Sequence, residues 1–385
     1  MKIAMIGHKR APSRSGGVEV VVEELAVRMA RMGHELRLYN RGVCPNSGNL
    51  YKGVHIIDVP AFLSGGAAIC AHMFLATFKA LADGCDVLHY HAEGSCAALL
   101  VSHAFKAKTV VTIHGLDWRR AKWRGLARAY LRFCEFVGAK LADDIITLSQ
   151  SAQTYFLEKY GRETLRIPNG ANQPTIRPAR LIRQKFGLEK NGYILFLARI
   201  TPEKGLHYLL DAYAELSIHI PLVIAGAYEC PKYKRVIENR VQNTRNVIMT
   251  GFVENETLAE LLTNAFLYVL PSDTEGAPIS LLEAMSYGKR CLVSDIPEHM
   301  EMITDDGGTL LASVFKRGDR QSLKRELEKI INEDFPMFDA RLSEYVLSRY
   351  SWRTVVEEII AVYSGSERVV TDDISAEISN ESLVG

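Results

Sequence analysis

The chain has 385 residues, 24% of them charged and 48% hydrophobic, which is ample length for two hydrophobic cores. Its net charge of +1 supplies no general basic surface, so no nucleic-acid partner is expected. The seven cysteines are odd in number and lack Cys-x-x-Cys spacing, which excludes a zinc site or disulfide framework and points to free thiols in a reducing cytosol. The opening MKIAMIGHKR has no long apolar core of the secretory kind, and a cytoplasmic location is expected.

Short apolar strands alternate with amphipathic helices from residue 2 onward. The pattern predicts strands at 2–7, 35–40, 54–59, 86–91, 109–113, 144–148 and 164–167, with helices over 18–32 and 93–105. Residues 59–78 carry no formal charge, but Pro60, Ser64, Gly65, Gly66 and His72 interrupt them. A spanning helix needs ~20 predominantly apolar residues, so this stretch reads as a loop followed by a helix buried in the fold or lining a cleft. The alternation implies parallel sheet with covering helices. It breaks at 168–178, PNGANQPTIRP, where three prolines mark a domain boundary. A second alternation follows, with strands near 192–198, 220–225, 246–250, 266–270 and 290–294, and helical segments at 319–331 and 336–363. The expected organisation is a first domain over 1–170, a second over 171–350, a terminal helix at 351–365, and an acidic, Ser-rich, disordered tail at 366–385.

Within this frame the run AFLYVLP ends as a strand, the loop SDTEGA carries Glu275, and Pro278 opens a helix from which Glu283 projects. Ligands of open α/β sheets bind at the carboxyl ends of strands. Carboxylates there suit the hydroxyls of a sugar. Upstream, ILFLARITPEKGL places Arg199 at a strand end and Lys204 in the following turn, which suits a diphosphate. Each of the four, taken singly, reads more readily as a solvated surface charge, since charged side chains are mostly exposed. Together they describe a nucleotide-sugar site. Gly16 and Gly17, just before the first helix, either let backbone amides approach a phosphate or form a plain surface loop. His114 ends the strand TVVTIHG, either to bond a sugar hydroxyl or as a structural histidine. The segment 118–132, WRRAKWRGLARAYLR, holds six basic residues and no acidic one. Arg120, Arg124, Arg128 and Arg132 recur every fourth position, predicting one helical stripe, with Trp123, Leu126, Ala127 and Tyr130 beside it and Trp118 at its start. That pattern suits an anionic membrane surface or a lipid diphosphate; the other reading is a helix packed on the sheet with its arginines in solvent. No Asp-x-Asp metal motif occurs, and neither a metal nor a cofactor is expected.

On these residues the chain resembles the retaining glycosyltransferases of family 4 (glycosyltransferase group 1). EGAPISLLE matches the family's E-x7-E motif, LARITPEKG its Arg/Lys phosphate turn, and SGGVEVVVEELA, IPNG and GFVENETL look like family segments. The N-terminal turn and HGLDWRRAKW look most like a bacterial rhamnosyltransferase-like subgroup of surface-polysaccharide assembly. The resemblance implies the α/β GT-B fold, two Rossmann-like domains facing across a cleft, with the terminal helix returning to the first. It implies a metal-independent transfer of a hexosyl or deoxyhexosyl group to a saccharide or polyprenyl-linked saccharide. Arg199 and Lys204 would hold the donor diphosphate, Glu275 the donor sugar, Glu283 the ribose, and Gly251–Val253 would lie near the base. Gly16 and Gly17 would lie near the phosphate, and His114 beside the sugar. Ala198 stands where glycine is common and Arg290 where proline is usual. A GT-B-fold epimerase or phosphorylase, or a non-catalytic nucleotide-sugar-binding protein, shares the architecture and remains open at this point.

Overall fold

The computed structural model describes residues 1–42, 49–60, 65–105, 107–120, 123–333 and 338–366. The tail expected at 366–385 lies, but for Ser366, outside the described residues. The first sheet contains β1 (Lys2–Ile6), β2 (Glu35–Arg41), β3 (Leu50–Tyr51), β4 (Val54–Val59), β5 (Val87–His91), β6 (Lys108–Ile113), β7 (Asp144–Thr147) and β8 (Leu165–Arg166). The second contains β9 (Ile194–Leu197), β10 (Leu222–Ala225), β11 (Val247–Gly251), β12 (Leu267–Leu270), β13 (Cys291–Ser294) and β14 (Ser313–Phe315). Their spatial orders are β3-β4-β2-β1-β5-β6-β7-β8 and β11-β10-β9-β12-β13-β14. Every pair is parallel except β3 with β4. The strands are near-continuous apolar runs because helices cover both faces of each sheet. β5 and β10, for example, are buried at every position.

Each sheet has one place where consecutive strands move to opposite sides, between β1 and β5 in the first and between β9 and β12 in the second. Such switch points open a crevice at the carboxyl ends of the strands. The fold therefore places the ends of β1, β5, β9 and β12 where a ligand can enter. This is the doubly wound GT-B architecture.

The chain crosses between the sheets twice, side by side. The amide of Ala171 donates to the carbonyl of Tyr350 at 2.6 Å, and Ala171 and Ser351 form a parallel bridge. Beyond the crossing, Trp352, Val356, Ile359 and Val362 of the helix Trp352–Ser364 share a core with Val22, Leu25 and Met29 of the helix Gly17–Arg31. Gly170 admits Trp352: a Cβ on residue 170 would come within 2.4 Å of the indole.

Two local expectations differ, and two strands, β3 and β14, were not expected. The segment expected as a helix over 93–105 is a 3-10 turn at Glu93–Ala98 followed by a short helix at Leu99–Ser102. The hydroxyl of Ser95 donates back to the carbonyl of Ala92 at 2.6 Å, a local bond that competes with helix. The segment at 336–363 is two helices, Ala340–Arg349 and Trp352–Ser364, each started by a side-chain cap, Asp339 and Ser351. The interruption is the return crossing at Tyr350. β3 and β14 are too short to show a period.

Candidate active site

In the second domain β9 ends at Leu197 and Arg199 follows it. The turn Pro202–Lys204 is closed by Gly205 at φ 67°. A Cβ on Gly205 would meet the carbonyl oxygen of Pro271 at 1.8 Å, so only glycine lets this turn lie against the end of β12. That approach delivers Lys204 to Glu275, which extends from the loop after β12. The Lys204 ammonium donates to both Glu275 oxygens at 2.6 and 2.7 Å, and the Ser272 hydroxyl donates to Oε1 at 2.6 Å. The Arg199 guanidinium donates to Glu229 at 2.7 Å. The site's own carboxylates thus hold both cations in place. Glu283 projects from the helix Ile279–Ser286, and its carboxylate lies 4.0 Å from Arg14 of the first domain.

Gly16 caps the helix Gly17–Arg31 without a side chain, leaving the first amides open. Gly17 faces the start of the Glu283 helix, where a Cβ would stand 4.0 Å from Ile279. His114, just past β6, accepts or donates one bond at Nε2 to Nδ1 of His91, 3.0 Å away. The backbones also touch here: a Cβ on Gly276 would come within 2.1 Å of the His114 carbonyl oxygen. The Asn169 amide donates to the Ala277 carbonyl at 2.8 Å, fastening the same loop from the first crossing. The predicted residues Arg199, Lys204, Glu275, Glu283, Gly16, Gly17, His114 and Val253 therefore line one cavity of about 370 Å3.

Burial pushes the Glu283 carboxyl up to about 7, with Arg14 partly opposing it. Burial also acts to raise Glu275, but Lys204 beside it carries the balance below the ordinary carboxylate value. Burial, with Arg120 adding to it, lowers His114 to about 3, so a neutral imidazole faces the cleft.

The stripe expected over 118–132 does not form. The helix begins only at Leu126, because Gly125 adopts φ 54°, ψ −129°. Arg124 lies before the helix, exposed, and Trp123 donates its amide to the carbonyl of Arg120. Arg120 sits in a turn after Asp117–Arg119, bonds Asp117 at 3.2 Å, and lines the cleft. Trp118 is pinned by its indole N–H to the buried Glu135 at 2.7 Å. Arg128 and Arg132 lie over its ring at 5.2 and 5.6 Å. Leu126, expected on the apolar face beside the stripe, is 90% exposed, which goes against the reading of that face as packed on the sheet.

Sequence reasoning missed Lys9, Arg14, Arg41 and Asp117, which also line the cavity, and Glu229, the partner of Arg199. The strand-end rule that found Arg199 applies equally to Lys9 after β1 and Arg41 at the end of β2. Arg290, a departure from the family pattern, bonds the Ile330 carbonyl at 3.1 Å and is not among the cavity residues. Ala198 does line it.

Residues 15–173 match the family described as Glycosyltransferase Family 4, and residues 179–349 match Glycosyl transferases group 1. Between them the two matches span most of the chain. The chain belongs to the group 1 glycosyltransferases. Among curated relatives, the O-antigen chain mannosyltransferase C of Escherichia coli is 26% identical over 87% of this chain and 90% of its own. Among solved structures, sucrose-phosphate synthase from Thermosynechococcus elongatus superposes with a TM-score of 0.82 at 19% identity, covering 94% and 98% of the two chains. Anabaena HepE in complex with UDP-glucose gives 0.77 at 18%, covering 95% and 100%. At these identities the structures show the shared fold. With the E-x7-E pair and the Arg/Lys turn in one cleft, this group 1 enzyme is a glycosyltransferase.

Proposed function

We propose that this enzyme moves a hexosyl or deoxyhexosyl group, with retained configuration, from a nucleoside diphosphate sugar to a saccharide or lipid-linked saccharide of a bacterial surface polysaccharide. The observation that carries the reading is that Arg199 and Lys204 converge with Glu275 and Glu283 on a cavity that also holds the open helix start at Gly16–Gly17. The likeness to an O-antigen mannosyltransferase and to a UDP-glucose complex supports the substrate class.

In this proposal the donor diphosphate draws Arg199 and Lys204 partly away from Glu229 and Glu275. Glu275, released toward the cleft, accepts bonds from the sugar hydroxyls, and Glu283 those of the ribose. As the bond from C1 to the diphosphate oxygen breaks, Arg199, Lys204 and the amides at Gly16–Gly17 neutralise the departing charge. The acceptor oxygen bonds C1 from the same face, and its proton passes to the leaving diphosphate. Neutral His114 positions the sugar without adding charge. Among the described residues no group of three or more His, Cys, Asp or Glu is placed to hold a metal ion, and the proposal assigns charge neutralisation to the side chains named.

We also propose peripheral contact with an anionic membrane. Leu126, Phe133 and Phe136 are 90%, 47% and 49% exposed on one side of the helix Leu126–Leu141, with exposed Arg124, Arg128 and Arg132 nearby. Among the described residues no helix is long and apolar enough to cross a membrane.

The test is a thermal-shift panel with UDP, GDP, dTDP and ADP on wild type and Arg199→Ala. A nucleotide at about 100-fold its Kd adds ~2.7 kcal/mol. One nucleotide should stabilise wild type and not the variant, and its release from the sugar donor should require acceptor. No shift with any of the four, or donor turnover independent of acceptor, overturns the reading.

A further inference from the structure

Six basic side chains line the cleft: Lys9, Arg14, Arg41, Arg120, Arg199 and Lys204. Four have a carboxylate in place, Arg14 with Glu24 at 3.0 Å, Arg120 with Asp117 at 3.2 Å, Arg199 with Glu229 at 2.7 Å, and Lys204 with Glu275 at 2.6 Å. Among the described residues, Lys9 and Arg41 have none. Their side chains also make no hydrogen bond there. We propose that the acceptor substrate carries a phosphate and that Lys9 and Arg41 bind it.

The two residues are neighbours by construction. Lys9 follows β1 and Arg41 ends β2, the adjacent strand, and the Arg41 amide donates to the Lys9 carbonyl at 2.9 Å. Both side chains therefore leave the same edge of the first sheet. Arg41 is half-buried, and burial lowers its guanidinium pKa, with Glu19 opposing. A guanidinium stays charged regardless. A partly desolvated charge with no direct ion pair, compensated only by the longer-range pull of Glu19, destabilises the empty protein, and an anion beside it relieves that. Glu19 is the acid facing this corner, and one of its oxygens accepts the Lys9 backbone amide at 3.1 Å. His8 and His72, which flank the corner, are held near pKa 4 by burial and are neutral at pH 7. Arg10, which donates to the Gly42 carbonyl at 2.7 Å, is paired with Asp58 at 3.0 Å, so among the described residues the positive charge without an ion pair there belongs to Lys9 and Arg41.

Ile69 and Met73 of the helix Gly65–Ala82 line the same end of the cavity. An apolar wall beside two cations fits a phosphate joined to a sugar ring or to a hydrocarbon chain. The donor diphosphate has its own cations on the second domain, so the cleft has two phosphate sites, one on each domain. The proposal rests on the transferase reading, since it takes the first-domain half of the cleft as the acceptor's half.

Titration calorimetry on the full chain tests it, with saturating UDP, GDP, dTDP and ADP present together so that the donor half is filled. The probes are glucose 6-phosphate, farnesyl phosphate and glucose. At least one phosphate probe should bind about 10-fold or more tightly than glucose. Arg41→Gln and Lys9→Gln should each weaken it about 10-fold, as expected for loss of a charged hydrogen-bonding partner. Lys9 is exposed, so Lys9→Gln should keep the wild-type Tm; Arg41→Gln, which removes a partly desolvated charge, should keep or raise it, and both variants should keep nucleotide affinity. Preference for glucose 6-phosphate identifies a soluble acceptor, and preference for farnesyl phosphate a lipid-linked one. Equal binding of glucose and both phosphates, or unchanged phosphate affinity in Arg41→Gln, overturns the proposal. Absence of nucleotide binding to wild type instead overturns the transferase reading, so the two failures are distinct.

Discussion

Replacing Lys204 by Met separates the two roles that the structure gives this side chain. Its ammonium stands 2.6 and 2.7 Å from the two oxygens of Glu275, and the pair is only 13% and 8% exposed. At an effective dielectric constant of about 20, unit charges at that spacing attract by about 6 kcal/mol, before the opposing cost of desolvation. Removing one partner strands the other, which typically costs about 3–5 kcal/mol. The pH dependence gives the sign. In wild type Lys204 holds Glu275 below its ordinary pKa, so the pair's stabilisation is present above the ordinary carboxylate range and lost on acidification. Without Lys204 burial dominates and lifts Glu275, so the folded state keeps a proton that the unfolded state releases. Stability of Lys204→Met then falls as pH rises toward neutral. Urea unfolding should show a small deficit near pH 5 and the full deficit near pH 8. Lys204→Met/Glu275→Gln should regain most of the stability at pH 8 but no activity, with kcat down by about 10²-fold or more. A deficit under about 1 kcal/mol at pH 8, or a double variant no more stable than the single, would refute the argument.

Three other outcomes follow from the same geometry. Arg199→Ala removes a partly exposed pair with Glu229, so stability should change by less than about 1 kcal/mol while kcat falls about 10²-fold; parallel loss of both would point to misfolding. Glu283→Gln should leave Tm unchanged near pH 4.5 and raise it above pH 7, since wild type must ionise a carboxyl held near 7; the gain is at most about 3 kcal/mol, and an unchanged pH–Tm profile would contradict it. Trp352→Ala should cost about 3–5 kcal/mol in urea unfolding, because the indole is buried where the terminal helix meets the first domain, and a loss below 1 kcal/mol would show that this junction is not part of the core.

The strand–helix alternation was legible because buried parallel strands are plain apolar runs and their helices carry a 3.6-residue period. The motif residues Arg199, Lys204, Glu275 and Glu283 were legible because Arg199 and Glu275 closely follow strand ends, while Lys204 and Glu283 lie in the turn and the helix that come next. The stripe drawn through Arg120, Arg124, Arg128 and Arg132 was periodic in sequence, yet Gly125 and the anchoring of Trp118 by Glu135 interrupt it. Nothing local announces a buried glutamate on the following turns of helix as the partner of an indole. Lys9 and Arg41 were overlooked because no motif contains them, although both stand at strand ends.

By itself, then, the order of residues determined most of the strands and helices and which side chains emerge at strand ends. Backbone propensity and burial pattern act over a few residues, and they decide these things locally. The tertiary structure decided the pairings: Lys204 with Glu275, 71 residues apart, Arg14 near Glu283, and Arg120 in the cleft instead of on a helix face. It also left Lys9 and Arg41 without a carboxylate among the described residues. Sheet order and the facing of the two switch points set those distances. An ion pair or an unpaired charge exists only once distant strands have been brought side by side.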